Sequence, residues 1–219
     1  NDIPGLDEDL KTRFLAESLF IRAHYFYHLV QQFGDIPMPL KPTNSVETTA
    51  HKTKVDEVWN QIVTDLEFAV ENLPETYQAS EFGHITKYAA MHHLSRVYLT
   101  LKRSDDDLKK ALNYAEQVIN SGKYSLVKSH AELWDINNKN NSEVLFSVLY
   151  TQNAELNGDG NTAHMYFCSA YSEEHPAVKR VIEYGRPWSR ERSSDFAISL
   201  FDKTKDQRWD DCFISRWNV

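Results

Sequence analysis

The segment Gly185-Arg-Pro-Trp-Ser-Arg-Glu-Arg192 sets one aromatic ring among several planar donors. Gly185 and Pro187 favour a loop there rather than a helix or a strand. Flat aromatic faces suit the C–H faces of sugar rings, and guanidinium and amide groups suit hydroxyls through directional hydrogen bonds. Burying ~100 Å² of apolar face on one ring is worth about 2.5 kcal/mol. Two such platforms with a few hydrogen bonds reach dissociation constants of ~1 mM to ~10 μM, which suits capture of abundant polymer ends rather than of a tight cofactor. The candidate ligand-binding residues are therefore Trp188, Arg186 and Arg190. The rings of Tyr166 and Tyr171 and the amides of Asn153 and Asn161 join them from the same loop-like stretch. The competing reading has Trp188 packed beneath its loop and Arg186 paired with a nearby acid.

Other chemistries fit less well. His24 and His28 stand four apart on one helix, the geometry of half a zinc site, but no third ligand follows at a recognisable spacing. Asn157-Gly-Asp-Gly-Asn161 begins like a calcium loop, yet Thr162 and Cys168 occupy the positions that need Gly and Glu. Glu173, Glu174, Asp195, Asp210 and Asp211 supply carboxylates, but nothing pairs them at a glycosidase separation. No nucleophile elbow, Ser/His/Asp pattern or phosphate loop is present. Cys168 and Cys212 have neither metal spacing nor a disulfide framework. No catalytic residue, metal site or cofactor is expected.

Four helices must position the loop chemistry. In the first, Phe14, Ile21, Tyr25 and Leu29 share a face, with Leu15, Leu19 and Phe26 beside them. It ends at Gly34, and Pro37 and Pro39 then hold an extended strap. The second helix carries Val55, Val58, Trp59, Ile62, Leu66, Ala69, Val70 and Leu73 at helical spacing, with Pro74 as its stop. The third aligns Ala90, Leu94, Val97 and Leu101 beside Tyr98. The fourth carries Leu108, Ala111, Leu112, Ala115, Val118 and Ile119, with Ser104 as N-cap, Asp105 to Asp107 at its positive end and Gly122 at its C-cap. The short link between the last two makes an antiparallel hairpin.

Beyond Gly122 the pattern loosens. Lys123 to Val127 reads as a short extended piece, Ala131 to Asp135 as a helical turn and Asn137 to Asn141 as a polar turn. Glu143-Val-Leu-Phe-Ser-Val-Leu-Tyr150 reads as a buried strand. Residues 151 to 190 have no periodicity but hold Tyr166, Phe167, Tyr171, Tyr184 and Trp188, so simple disorder is disfavoured. A short helix follows over Asp195 to Phe201. The fold class is mainly α: tetratricopeptide-like helix pairs over residues 1–122 and a loop-rich, irregular portion with little β over 123–219, in one domain.

Composition sets outer bounds. With 24 Lys+Arg against 32 Asp+Glu, the net charge of −8 argues against nucleic-acid binding, which needs a basic footprint. No apolar run approaches the ~18 residues of a membrane helix. The start at Asn1 without Met and the stop at Val219 suggest an incomplete or trimmed chain.

The order of these pieces resembles the SusD/RagB family, the surface nutrient-binding lipoproteins of Bacteroidota-type outer membranes. The resemblance lies in Arg22-Ala with Tyr25 and Phe26, then Phe33-Gly-Asp-Ile-Pro37, then Val55-Asp-Glu-Val-Trp-Asn-Gln-Ile-Val-Thr-Asp-Leu-Glu-Phe-Ala69 with Leu73-Pro74. It continues through Gly83-His-Ile-Thr-Lys-Tyr-Ala-Ala90, Arg96-Val-Tyr-Leu99, Ala115-Glu-Gln-Val-Ile-Asn-Ser-Gly-Lys-Tyr-Ser-Leu126, Asn141-Ser-Glu-Val-Leu-Phe146 and Phe201-Asp with Asp206-Gln-Arg208. It implies a tetratricopeptide-like helical fold that binds glycans, or in some members peptides, without catalysis. It also implies a SusC-like, TonB-dependent transporter as partner and a lipid-anchored place on the outer face of the outer membrane. The family's lipidated N-terminal cysteine is not in this sequence, and family members run on past the point matching Val219. Their binding residues lie on variable loops, so none is carried over by match. The rival functions are a peptide- or protein-binding helical-repeat scaffold and a helical glycoside hydrolase.

Overall fold

Asp7 starts the first helix, its carboxylate accepting from the backbone N–H groups of Asp9 (3.0 Å) and Leu10 (3.2 Å). Helix α1 (Glu8–Phe33) ends at Gly34, whose φ of 68° is a left-handed value that residues with a Cβ avoid. The strap that follows is a clasp. Ile36 is buried and forms an isolated antiparallel bridge with Thr53. Asp35 accepts from Val55 N (3.0 Å) and from Lys54 Nζ (2.8 Å), capping the start of α2 (Val55–Asn72). Those two hydrogen bonds, Lys54 first, hold the Asp35 carboxyl below its ordinary pKa.

A computed structural model describes residues 4–46, 48–150, 153, 155, 160–161, 166–167, 188 and 190–212. They belong to two compact units, one of Asn1–Leu126 with Ser142–Ser147 and one of Val127–Asn141 with Val148–Val219. The first unit holds α1, α2, α3 (Lys87–Leu101) and α4 (Asp105–Asn120). Its core centres on Phe20, Val58, Ile62, Leu66, Leu94 and Val97, all essentially inaccessible to solvent. The predicted faces of α2 and α3 are the buried ones, and Ser104 caps α4 as its position suggested. Lys102, at φ 42°, turns α3 into α4, and Ser95 Oγ donates to Ala111 O (2.7 Å) across the pair. Thr86 caps α3 and meets the Tyr124 hydroxyl at 3.1 Å.

Two sequence expectations are corrected. On α1 the buried face is Ala16, Phe20, Ala23, Phe26, Tyr27 and Val30, whereas the expected core residues Phe14, Ile21, Tyr25 and Leu29 are 39–65% exposed. The helix is apolar on nearly every side, so periodicity does not choose between faces. Ala16 and Ala23 allow closer helix approach than the bulky stripe, and Arg22 must reach Asp65. Its Nε and Nη2 donate to Asp65 Oδ2 (2.8 Å) and Oδ1 (2.7 Å), and Gln61 Nε2 adds a third bond (2.7 Å). The other correction is residues 143–150, which form no strand; among the described residues there is no β-strand at all. A strand needs a neighbour to take its backbone bonds. Here Val148, Leu149 and Tyr150 are about half exposed or more. Phe146 instead packs edge-on against Phe20, their ring centres 5.2 Å apart.

The second unit contains α5 (His130–Trp134), α6 (Asp195–Ser199) and α7 (Arg208–Cys212), each a single short helix, with α5 against α7. Ser129 and Ser194 cap α5 and α6 through bonds to Glu132 N (3.2 Å) and Ala197 N (3.1 Å). The buried Asn141 amide donates to Leu133 O and Asn138 O.

Two outcomes follow from the packing of the first unit. Arg22→Met leaves the buried Asp65 charge without its counter-ion, and urea unfolding should show a loss of about 3 kcal/mol. Asp65→Asn should be similarly costly, and a change under 1 kcal/mol in both would deny the pair its role. The second concerns His93, which is buried with an Nε2 that makes no hydrogen bond. Its neighbours are His24, His28, His92 and Arg96, none of them acidic. Burial first, then these cationic groups, push its pKa down to about 3. The unfolded chain takes up this proton near pH ~6.5, so between that pH and about 3 the unfolded state binds more protons and stability falls as pH falls. Melting curves at pH 7 and pH 5 should show wild type losing up to about 2 kcal/mol more than His93→Leu; parallel losses would exclude this group as the cause.

Candidate ligand-binding site

Tyr166, Trp188 and Arg190, drawn from residues up to 24 apart in the chain, meet in the second unit. The anchor is backbone: Arg190 N and Glu191 N both donate to Tyr166 O, at 3.0 and 3.1 Å. A carbonyl has two lone pairs, so one residue ties down both positions beyond Trp188. The Tyr166 and Trp188 rings then meet edge to face, with centroids 4.9 Å apart and planes at 87°. The Arg190 guanidinium lies 4.9 Å from the Trp188 ring centre and 5.5 Å from that of Tyr166.

This arrangement answers the packing question raised by the sequence. Trp188 is held on two sides yet remains 37% exposed, so the ring is braced rather than submerged. Arg190 is exposed and has no acid partner among the described residues. A rigid ring beside a guanidinium can accept a sugar C–H face and bind its hydroxyls. Little rotamer entropy remains for binding to remove.

The other candidates stand apart in what is known of them. Asn153 is exposed, and its Oδ1 accepts from Glu155 N (3.0 Å), an Asx turn that shapes the chain locally. Asn161 is exposed. Arg186 and Tyr171 lie outside the described residues, as does Asn157 to Asp159 of the glycine-rich turn. Two exposed rings were not singled out in the sequence: Phe167, next to Tyr166, and Trp134 on α5. The available signal for Trp134 was its spacing four residues after His130, one helical turn away.

His24 is partly buried and packs against the core, whereas His28 lies exposed beside it on α1. Their rings meet at 4.7 Å, and His24 contacts His93 and Phe146. Among the described residues no group of three or more His, Cys, Asp or Glu side chains is arranged to hold a metal. No described helix is long and apolar enough to cross a membrane.

Comparison with known proteins places this geometry in context. Residues 5–99 match a SusD-like family model described as starch-binding and associating with the outer membrane. SusD-like protein P2 of Formosa agariphila is 31% identical over 189 residues, covering 84% of this chain and 35% of that protein. A SusD-like protein of Bacteroides ovatus is 27% identical over 161 residues, covering 66% of this chain and 27% of its own. This chain thus spans about a third of the length of such relatives. Among solved structures, a laminarin-binding SusD-like protein aligns with a TM-score of 0.66 at 28% identity, over 75% of this chain and 38% of that one. A structure with a xylogluco-oligosaccharide aligns at 0.62 and 26% identity, over 67% and 31%.

Proposed function

Because the chain belongs to the SusD-like family, we propose that it binds oligo- or polysaccharide at a cell surface, without catalysis. The observation that carries this reading is the Tyr166–Trp188–Arg190 cluster, an exposed ring braced beside a guanidinium with no acid partner among the described residues. The laminarin- and xyloglucan-binding relatives support the ligand class. The bound glycan passes to a SusC-like, TonB-dependent transporter, and the protein is held by an N-terminal lipid on the extracellular face of the outer membrane. Both follow from the family resemblance. A net charge of −8 disfavours anionic polymers and points to neutral glycans.

The second reading, a peptide- or protein-binding scaffold, draws on one observation: the exposed α1 stripe of Phe14, Ile21, Tyr25, Leu29 and Phe33. Screening the protein against neutral glycans and a peptide library separates the two. For the glycan that binds, Trp188→Ala should weaken affinity about 10-fold or more, matching loss of one ~100 Å² platform. Arg190→Lys, which keeps charge but loses the planar fork, should weaken it severalfold. Unchanged affinity in both variants would remove this cluster from the binding site, and capture of peptides alone would favour the scaffold.

A further inference from the structure

An open cleft of about 890 Å³ in the second unit is lined by His130, Trp134, Phe167, Asp211 and Cys212. That volume is within the range of small-molecule sites. Two of its walls are rings that face solvent: Trp134 is 73% exposed and Phe167 65%. The Trp134 ring is held in place, because its Nε1 donates to His130 Nε2 at 3.0 Å. An Nε2 that accepts carries no proton, so in the neutral imidazole the proton sits on Nδ1. That Nδ1 is shielded from solvent and faces Asp211 Oδ2 at 3.5 Å, so the imidazole holds the carboxylate in place. A fixed, partly exposed carboxylate thus lies beside two exposed aromatic walls.

This pattern selects its ligand. A sugar hydroxyl donates a hydrogen bond, so it satisfies the partly exposed Asp211 carboxylate. Exposed rings take the C–H faces of a pyranose-like ring. Asp211 opposes a carboxylated, sulfated or phosphorylated ligand by like charge. Tyr166 and Phe167 are consecutive, their Cα atoms ~3.8 Å apart across a trans peptide, so one backbone step feeds the braced cluster and this cleft. We propose that the cleft is a second subsite for a neutral saccharide unit, filled by the same oligosaccharide chain that the Tyr166–Trp188–Arg190 cluster holds. This rests on the glycan-binding reading above.

The test is calorimetric titration with laminarin-, xyloglucan- and malto-oligosaccharides of increasing length, using wild type, Trp134→Ala, Phe167→Ala, Asp211→Asn and Trp188→Ala. Circular dichroism confirms folding; the three ring positions are partly or largely exposed, and Asp211→Asn preserves shape. Cys212 is an exposed free thiol lining the cleft, so maleimide labelling in a Cys168→Ser background reads occupancy directly. The expected result is a loss of about 10-fold for Trp134→Ala and Phe167→Ala and severalfold for Asp211→Asn with the longer chains. Disaccharide binding should be unaffected, and saturating oligosaccharide should slow Cys212 labelling severalfold. If wild type binds and Trp188→Ala weakens it, while the cleft variants and the labelling rate do not change, the cleft proposal is overturned and the glycan reading stands. If wild type binds none of the three series, both are overturned. Loss confined to the cleft variants, with Trp188→Ala unchanged, removes the cluster and overturns the proposal that one chain spans both.

Discussion

The bidentate pair between Arg22 and the buried Asp65 decides how the first helix sits on the second. Hydrophobic burial alone leaves that choice open. Helix α1 carries bulky apolar residues around most of its circumference, and two rotations would each bury a respectable stripe. A carboxylate only 2% exposed cannot be left without a counter-ion, whereas Phe14 or Tyr25 can face water at modest cost. Electrostatics therefore selects the rotation, and the alanines at 16 and 23 make it close enough to pack. Everything else in the first unit follows from that orientation. Tyr27 reaches Trp59 and Thr100, His24 meets His93, and Glu17 accepts from the Tyr77 hydroxyl while facing His84. Gly34 then ends the helix where Asp35 can cap α2.

The second unit is organised differently. Its helices α5, α6 and α7 are five residues long, and among the described residues order comes from caps, turns and ring contacts. Loops of this kind are where binding chemistry usually lies, because their side chains are not committed to packing. The ring contacts here are specific. Arg190 covers Trp188, Lys203 sits 4.1 Å from the centre of the Trp209 ring, and Trp134 is tethered to His130. Each leaves an aromatic group both immobilised and partly open, which suits weak, additive recognition of a repeating polymer.

How far the sequence could be read differed by element. The faces of α2 and α3 were legible because each has one apolar stripe and a polar reverse; Val58, Ile62 and Leu66, and Ala90, Leu94 and Val97, leave no alternative. The Ser104 cap and the Gly34 stop were legible because they are local backbone chemistry. Residues 143–150 misled, since an apolar, partly β-branched run has the composition of a strand whether or not a partner strand exists. At the candidate site, Trp188 and Arg190 could be named from their types. Tyr166 could be named as well, but not that its one carbonyl would accept two amides and set its ring edge-on to Trp188.

The sequence by itself determined the helix ends, the acidic composition and the resemblance to SusD-like proteins, because these depend on contacts within a few residues, on composition or on the order of local segments. The tertiary structure alone decided which face of α1 is buried, that His24 and His93 share one acid-free cluster, and that Tyr166 lies against Trp188. It alone placed His130 beside Asp211, 81 positions later, in a cleft with two exposed rings. The physical reason is the same in each case. Burying a charge, satisfying a carbonyl or bracing a ring depends on groups distant in the chain, and a one-dimensional pattern carries no record of which distant groups will meet.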